Sequence, residues 1–374
     1  MGKINQRCNN RVIIFRSRGI DPAVQKVASS LGESGYDVRL FVWDRKGDVK
    51  TDDGLLPYSL NAVRLPAPYD SPISPLLWPV WWMLEFIILV RNKYSLIHAC
   101  DFDTAVPAFI ASRVRGVPFF YTIYDYYSAN IPVDKPFIKK IISTMENFFI
   151  NRADCLFIVD KNRFEQIKEC KIRDFAVINN SPVDVSLQDT NEETNFILFY
   201  GGALLKTRGI GLLIEVAKRL PDVQVIIAGS GPEEQNIREA IKQGTNIQYL
   251  GQISHQKIIE YSSKADAIVA MYDPSIKNNE YASPNKLFEA MMLSKPIITS
   301  DNPALLKYID EERCGIVIPY GDLDRLIDAI TQLQNSPQIS KMYGRNGRLA
   351  YETKYSWEIM KERLLEKYAS HLSK

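Results

Sequence analysis

The sequence predicts an α/β protein of two domains, each a mostly parallel sheet covered by helices on both faces. Short apolar runs rich in β-branched and aromatic residues alternate with helical stretches through the first half. The same rhythm restarts after a polar stretch near residue 190. A chain of 374 residues is also long enough for two separate cores.

The first half opens with a strand at 12–15, then a polar loop and a helix over 22–34 that begins at Pro22, a residue suited to a first helical turn. Further strands are expected at 38–43, 96–98, 118–123 and 155–159. Residues 184–195 read as a linker. The second half supplies strands at 196–200, 223–228, 247–250, 267–271, 296–299 and 315–318. A weak internal echo joins the halves: Asn151-Arg152-Ala153-Asp154 and Ser263-Lys264-Ala265-Asp266 each precede an apolar strand. Met360, Leu364, Leu365, Tyr368 and Leu372 fall on one face of a terminal helix. The expected division is therefore 1–185, 186–355 and a C-terminal helix, 356–374, packing back on the first domain.

Composition narrows the function. The chain is 46% hydrophobic and 24% charged with a net charge of only +2, and it has no arginine-rich tract, which argues against a nucleic-acid partner. Cys8, Cys100, Cys155, Cys170 and Cys314 form no CxxC pair, and His98, His255 and His371 are far apart, so neither a metal centre nor a disulfide framework is expected. His98, at a strand end, reads as a structural hydrogen-bonding group. The absence of a signal-peptide pattern points to the cytoplasm. Residues 72–90 are nearly long enough to span a bilayer but contain Pro79 and Glu85. Trp78, Trp81 and Trp82 fit either an interfacial surface at the inner face of a membrane or a buried helix.

Three segments of the second half carry chemistry. The strand at 196–200 runs into Gly201-Gly202 and a basic loop with Lys206 and Arg208, a turn that lets backbone approach a ligand while two cations neutralise phosphate oxygens. The strand at 223–228 runs into Gly229-Ser230-Gly231-Pro232, which lacks the third glycine and the distant acid of a dinucleotide fingerprint. In the third, Ser283 is a good N-cap and Pro284 a good first helical residue; Asn285 follows, and Lys286 adds a full charge to the amide dipoles. Glu289 lies one turn on, where a carboxylate can accept hydrogen bonds from ribose hydroxyls.

These segments, in this order and with the Leu250-Gly251 turn between them, resemble the C-terminal domain of glycosyltransferase family 4. The resemblance implies the GT-B fold: two Rossmann-like, doubly wound parallel-sheet domains facing across a cleft. It implies a retaining, metal-independent hexosyltransferase that needs no cofactor. Such an enzyme moves sugar from a nucleoside-diphosphate sugar to a hydroxyl of a saccharide or lipid-linked saccharide in polysaccharide biosynthesis. It places Arg208 on the donor diphosphate, Glu289 on the ribose, Gly251 to Ile253 beside the base, and residues 282–285 near the phosphates and sugar. It also sets the loop around Gly19 opposite the donor.

The chain departs from the family pattern at several places. Gly202 stands where many relatives have Arg, and Tyr281 where they have a first Glu, with Glu280 one residue off register. Lys206 or Lys286 is then left to supply the missing charge. Tyr124-Asp125 replaces His-Asp, which leaves Asp125, Asp101 and Asp103 as candidates for acceptor contact or base work. Arg208, Lys206 and Lys286 would stabilise the departing diphosphate. The departures also admit a catalytically impaired subunit that binds nucleotide sugar or a partner glycosyltransferase; turnover of donor separates the two.

Overall fold

In a computed structural model, which describes residues 10–50, 54–67, 74–130, 135–185, 195–276, 279–281 and 285–372, the apolar run of strand β1 (Arg11–Arg16) lies inside the first of two sheets. Around it run β2 (Asp37–Asp44), β3 (Ser59–Arg64), β4 (Leu96–Cys100), β5 (Phe119–Ile123), β6 (Cys155–Ile158) and β7 (Phe175–Val177), all parallel, in the order β3-β2-β1-β4-β5-β6-β7. The longer helices here are α1 (Pro22–Glu33), α2 (Trp78–Arg91), α3 (Phe102–Arg115) and α4 (Pro136–Ile150).

The second sheet repeats the logic. Strands β8 (Phe196–Gly201), β9 (Val223–Ala228), β10 (Ile247–Tyr249), β11 (Ala267–Ala270), β12 (Ile297–Ser300) and β13 (Gly315–Ile318) are parallel in the order β10-β9-β8-β11-β12-β13. Its helices are α5 (Ile210–Arg219), α6 (Glu234–Lys242), α7 (His255–Lys264), α8 (Asn285–Met292), α9 (Pro303–Glu312), α10 (Leu323–Asn335) and α11 (Pro337–Ala350), before the terminal α12 (Trp357–Leu372). In each sheet the chain winds outward from the first strand and then returns to its other side. The loops after β1 and β4, and after β8 and β11, therefore diverge at the carboxyl edge, where open α/β sheets bind ligands.

The chain divides into residues 1–179 with 360–374, and residues 180–359, rather than at 185/186 and 355/356. Within the first unit, Tyr368 of α12 is buried with its hydroxyl 2.5 Å from Nδ1 of His98, whose Nε2 meets Thr122 Oγ1 at 2.5 Å. Burial lowers the pKa of His98 to about 3, so the ring is neutral and structural.

The central strands are the apolar runs visible in the sequence. The edge strands β3 and β7 are not, because β3 buries only Leu60 fully and β7 is three residues long. The expected linker lies largely outside the described residues, since only Asp184, Val185 and Asn195 of it are described. The Ala-Asp echo has one physical basis in both halves. Asp154 Oδ2 accepts the Phe119 N–H at 2.9 Å while its own N–H bonds Phe119 O at 2.8 Å. Asp266 does the same to Ile197, at 2.7 and 2.9 Å. Each aspartate satisfies a strand-start amide that the ladder leaves open.

The tryptophans of α2 do not form an interfacial surface. Trp78 and Trp81 are buried, Trp81 stacking on Trp43 with centroids 5.1 Å apart, and half-buried Trp82 donates Nε1–H to Asp103 O at 2.9 Å. Glu85, on the same seam, is fully buried; burial, and then Asp103, push its pKa well above the carboxylate range.

Candidate functional site

Three glycine turns meet at the carboxyl edge of the second sheet. The buried run of β8 ends at Gly201-Gly202, whose Gly202 N–H donates to Ala228 O at the end of β9 at 2.9 Å. Leu204 N–H reaches Ser230 O at 3.0 Å, and Gly229 N–H reaches Gly251 O, just past β10, at 2.8 Å. Glycine is required at 229: its φ is 137°, and a Cβ there would sit 1.8 Å from Gly202 O. Gly231 lies in the same turn, where its N–H bonds Glu234 Oε1 at 3.1 Å. Ile253 is half-buried and packs on the core of Ile197 and Phe199.

Two cations converge on this edge. Helix α8 sends Lys286 back to the Gly-Gly turn, where its Nζ lies 5.3 Å from the Tyr200 ring centroid. Arg208, from the basic loop after β8, stacks its guanidinium 4.0 Å above the ring of Tyr272, just past β11. Arg208 Nη1 is shielded from solvent and has no hydrogen-bond partner among the described residues. Burial works against the charge of Lys286 and so does Arg208, but Tyr272, Tyr200 and Glu289 hold its pKa above the ordinary value. Lys286 is therefore charged at neutral pH. Two gathered cations, one with an unpartnered donor, concentrate positive charge at the switch point of the sheet.

Of the two lysines left open by the sequence, Lys286 is the one placed at the Gly-Gly turn. Lys206 points its side chain to solvent, and its carbonyl accepts from the Tyr320 hydroxyl at 3.1 Å. Glu289 is buried on α8, with Oε1 2.8 Å from Nε2 of His255 at the start of α7. The sequence reading missed His255; its only signal was a histidine four residues after the Leu250-Gly251 turn. Asn285 is exposed as the first described residue of α8, while Ser283 and Pro284 lie outside the described residues. Among the described residues no group of three or more His, Cys, Asp or Glu side chains is placed to hold a metal ion.

The first unit places its candidate acids differently from expectation. Gly19 turns the loop after β1 with φ of 71°. Asp101, at the end of β4, is buried and pairs with Arg16, while its Oδ1 accepts the N–H groups of Tyr124 at 2.8 Å and Asp125 at 3.3 Å. Its backbone is left-handed, with φ of 66°. Oδ1 is thus held by the loop after β5 and Oδ2 by Arg16 at the end of β1, so both oxygens of Asp101 are already engaged within the first sheet. Asp125 bonds Arg163 at 3.1 Å through Oδ1 and Arg18 at 3.3 Å through Oδ2, so it positions two guanidinium groups. Tyr124 lies under Arg16, 4.3 Å from its ring centroid. Asp103 bonds Ser17; burial, and then Asp101, raise its pKa.

Comparison with known proteins follows the same two-part division. The family described as "Glycosyl transferases group 1" matches residues 185–350, and "Glycosyl transferase 4-like domain" matches residues 18–166. Phosphatidyl-myo-inositol mannosyltransferase of Mycobacterium leprae is 23% identical over 368 residues, covering 94% of this chain and 92% of that protein. Among solved structures, sucrose-phosphate synthase from Thermosynechococcus elongatus aligns with a TM-score of 0.74 at 17% identity, over 97% of this chain and 99% of that one. Anabaena HepE, solved in complex with UDP and glucose, aligns with a TM-score of 0.69 at 15% identity, over 96% and 99%.

Proposed function

This chain belongs to the family 4-type glycosyltransferases and has their GT-B fold, and we propose that it transfers a sugar from a nucleoside diphosphate to an acceptor hydroxyl with retention. The observation that carries the proposal is the pair Lys286 and Arg208 at the glycine turns ending β8, β9 and β10. An oxygen of the donor diphosphate takes the open Nη1 of Arg208, and another takes Lys286. Glu289, oriented by His255, accepts from the ribose hydroxyls. The base lies beside Gly251.

In the reaction the anomeric C–O bond to the diphosphate breaks and a C–O bond to the acceptor forms on the same face. The acceptor proton passes to a diphosphate oxygen. Negative charge grows on the leaving group in the transition state, and fixed cations there are worth on the order of 3–4 kcal/mol each. Asp125 and Asp101, engaged by arginines, are not asked to take the proton. With two cations on the leaving group, the reaction needs neither metal nor cofactor, and EDTA leaves turnover unchanged.

The named relatives guide the choice of substrates. HepE was solved with UDP and glucose, and the mycobacterial relative is named for a phosphatidyl-inositol acceptor, which favours a lipid-linked acceptor here. A thermal-shift screen of UDP-, GDP- and dTDP-sugars tests the donor, because a ligand at a hundred times its Kd stabilises the folded state by about 2.7 kcal/mol. A shift with at least one nucleotide sugar, and release of its nucleoside diphosphate in the presence of acceptor, is expected. No shift with any of them would overturn the proposed donor site.

A further inference from the structure

We infer that Ser300 is a positioning residue for the transfer: it fixes Tyr272, and through Tyr272 the direction in which Arg208 presents its open donor. Arg208 is taken, as above, to hold the donor diphosphate, and the role of Ser300 rests on that reading. Strand β11 ends at Ala270 and pairs in parallel with β12, whose last residue is Ser300. Two residues past the end of β11, the backbone of buried Tyr272 needs partners that the ladder no longer supplies. Ser300 supplies both. Its Oγ accepts the Tyr272 N–H at 2.8 Å and donates to Tyr272 O at 2.7 Å. A hydroxyl can do this because it carries one donor and two lone pairs. Ser300 is itself fully buried, so deleting its hydroxyl takes a bond from two polar groups in the core.

Arg208 takes its direction from this part of the chain twice over. The Tyr272 ring lies 4.0 Å from the guanidinium stacked on it. The next amide, Asp273 N–H, donates to Thr207 O at 3.2 Å, one residue before Arg208. The same loop is fastened again further on: Asn279 Nδ2 donates to Asp273 O at 2.8 Å, and Asn302 Nδ2 donates to Asn279 O at 2.6 Å. On the other flank the Tyr320 hydroxyl, just past β13, donates to Lys206 O at 3.1 Å. The turn 206–208 is thus held by the loops after β11 and β13, while Nη1 of Arg208 is left open. An arginine side chain has several rotatable bonds, and a guanidinium free to sample them must be ordered again in every turnover. Fixed against the ring, it meets the charge that grows on the leaving diphosphate already in place. Ser300 acts through Tyr272 and not on the substrate itself.

A double-mutant cycle on the full chain tests this, with turnover read as nucleoside diphosphate released from the UDP-, GDP- or dTDP-sugar that raises the melting point most. Ser300→Ala should lower kcat by about tenfold while changing KM for the donor by less than about threefold. In the Arg208→Ala background the same substitution should change kcat by less than about twofold, because no guanidinium is left to aim. A role in stability alone does not give that pattern, since it takes the same factor from kcat in both backgrounds. Tyr272→Leu runs the same cycle through the ring with Ser300 in place, and it carries the test where Ser300→Ala does not fold. An equal loss with and without Arg208, or wild-type kcat in a folded Ser300→Ala, would overturn the role of Ser300 and leave the donor site standing. Near-normal turnover of Arg208→Ala would remove the donor-site reading, and the role of Ser300 with it.

Discussion

A Cβ atom on Gly202 would stand 2.7 Å from Nζ of Lys286. The lysine of α8 occupies the volume that a side chain at Gly202 would need. Relatives described by the family pattern place an arginine on that turn; here the positive charge arrives from a helix instead. Lys286→Met should therefore lower kcat/KM by roughly 10²–10³-fold, the effect of removing one donor to a developing anion. Gly202→Arg alone should also impair the enzyme, because it collides with Lys286. In the double variant the two losses should be less than additive, since the arginine enters the space the lysine has left. Steady-state kinetics of the four proteins checks this; additive losses would separate Gly202 from Lys286.

Arg208 acts through shape as well as charge. Its guanidinium plane is held against Tyr272, with Nη1 left open. Lysine keeps the charge but not the stacked fork. Arg208→Lys should lose about tenfold or more in kcat, and Arg208→Ala on the order of 10²-fold or more, with smaller changes in KM. Near-normal turnover of Arg208→Ala would remove this residue from the mechanism.

His255 positions Glu289 at 2.8 Å and is assigned no part in bond cleavage. His255→Ala should weaken nucleotide-sugar binding several-fold while leaving kcat at saturation close to wild type, because ribose contacts are made equally in ground and transition states. Glu289→Ala should weaken binding further, about tenfold or more. Isothermal titration with donor, beside kcat at saturating donor, reads the split. A fall in kcat with unchanged affinity would contradict a ribose role.

Much of this arrangement is legible in the residues, and the rest is not for physical reasons. Buried parallel strands read as unbroken apolar runs, which is why β1, β4 and β8 stand out. The exposed edge of β3 carries no such run. Gly201, Gly202, Gly229 and Gly251 are visible as turn residues, but their mutual hydrogen bonds depend on strand order. The choice between Lys206 and Lys286 needed the direction in which α8 points. The roles of Asp101 and Asp125 could not be read because their arginine partners lie between 38 and 107 residues away. The tryptophans left two readings open for a related reason: α2 is apolar on both faces, so periodicity gives no inside.

The buried neutral His98 makes the first unit acid-sensitive. Its folded pKa is lowered by burial to about 3, whereas an unfolded histidine titrates near 6.5. Between these values the unfolded chain binds more protons, so stability is full above pH 6.5 and falls as pH drops, by up to about 1.4 kcal/mol per unit. Glu146 works in the opposite sense. Burial raises its pKa to about 8, so its contribution is present below the usual carboxylate value and is lost as pH rises through 8. Buried Glu85 and Asp103, also raised, act in the same sense as Glu146, so the wild-type profile mixes several groups, and the difference between variants isolates the histidine. His98→Gln keeps an acceptor and a donor for Tyr368 and Thr122 but cannot titrate. Relative to its gap from wild type at pH 7.5, this variant should gain about 1.4 kcal/mol by pH 5.5 in urea titrations, since the unfolded wild type takes up a proton that the variant does not. Parallel stability profiles for the two proteins would mean that His98 is protonated in the folded state, and the neutral histidine held between Thr122 and Tyr368 would have to be abandoned.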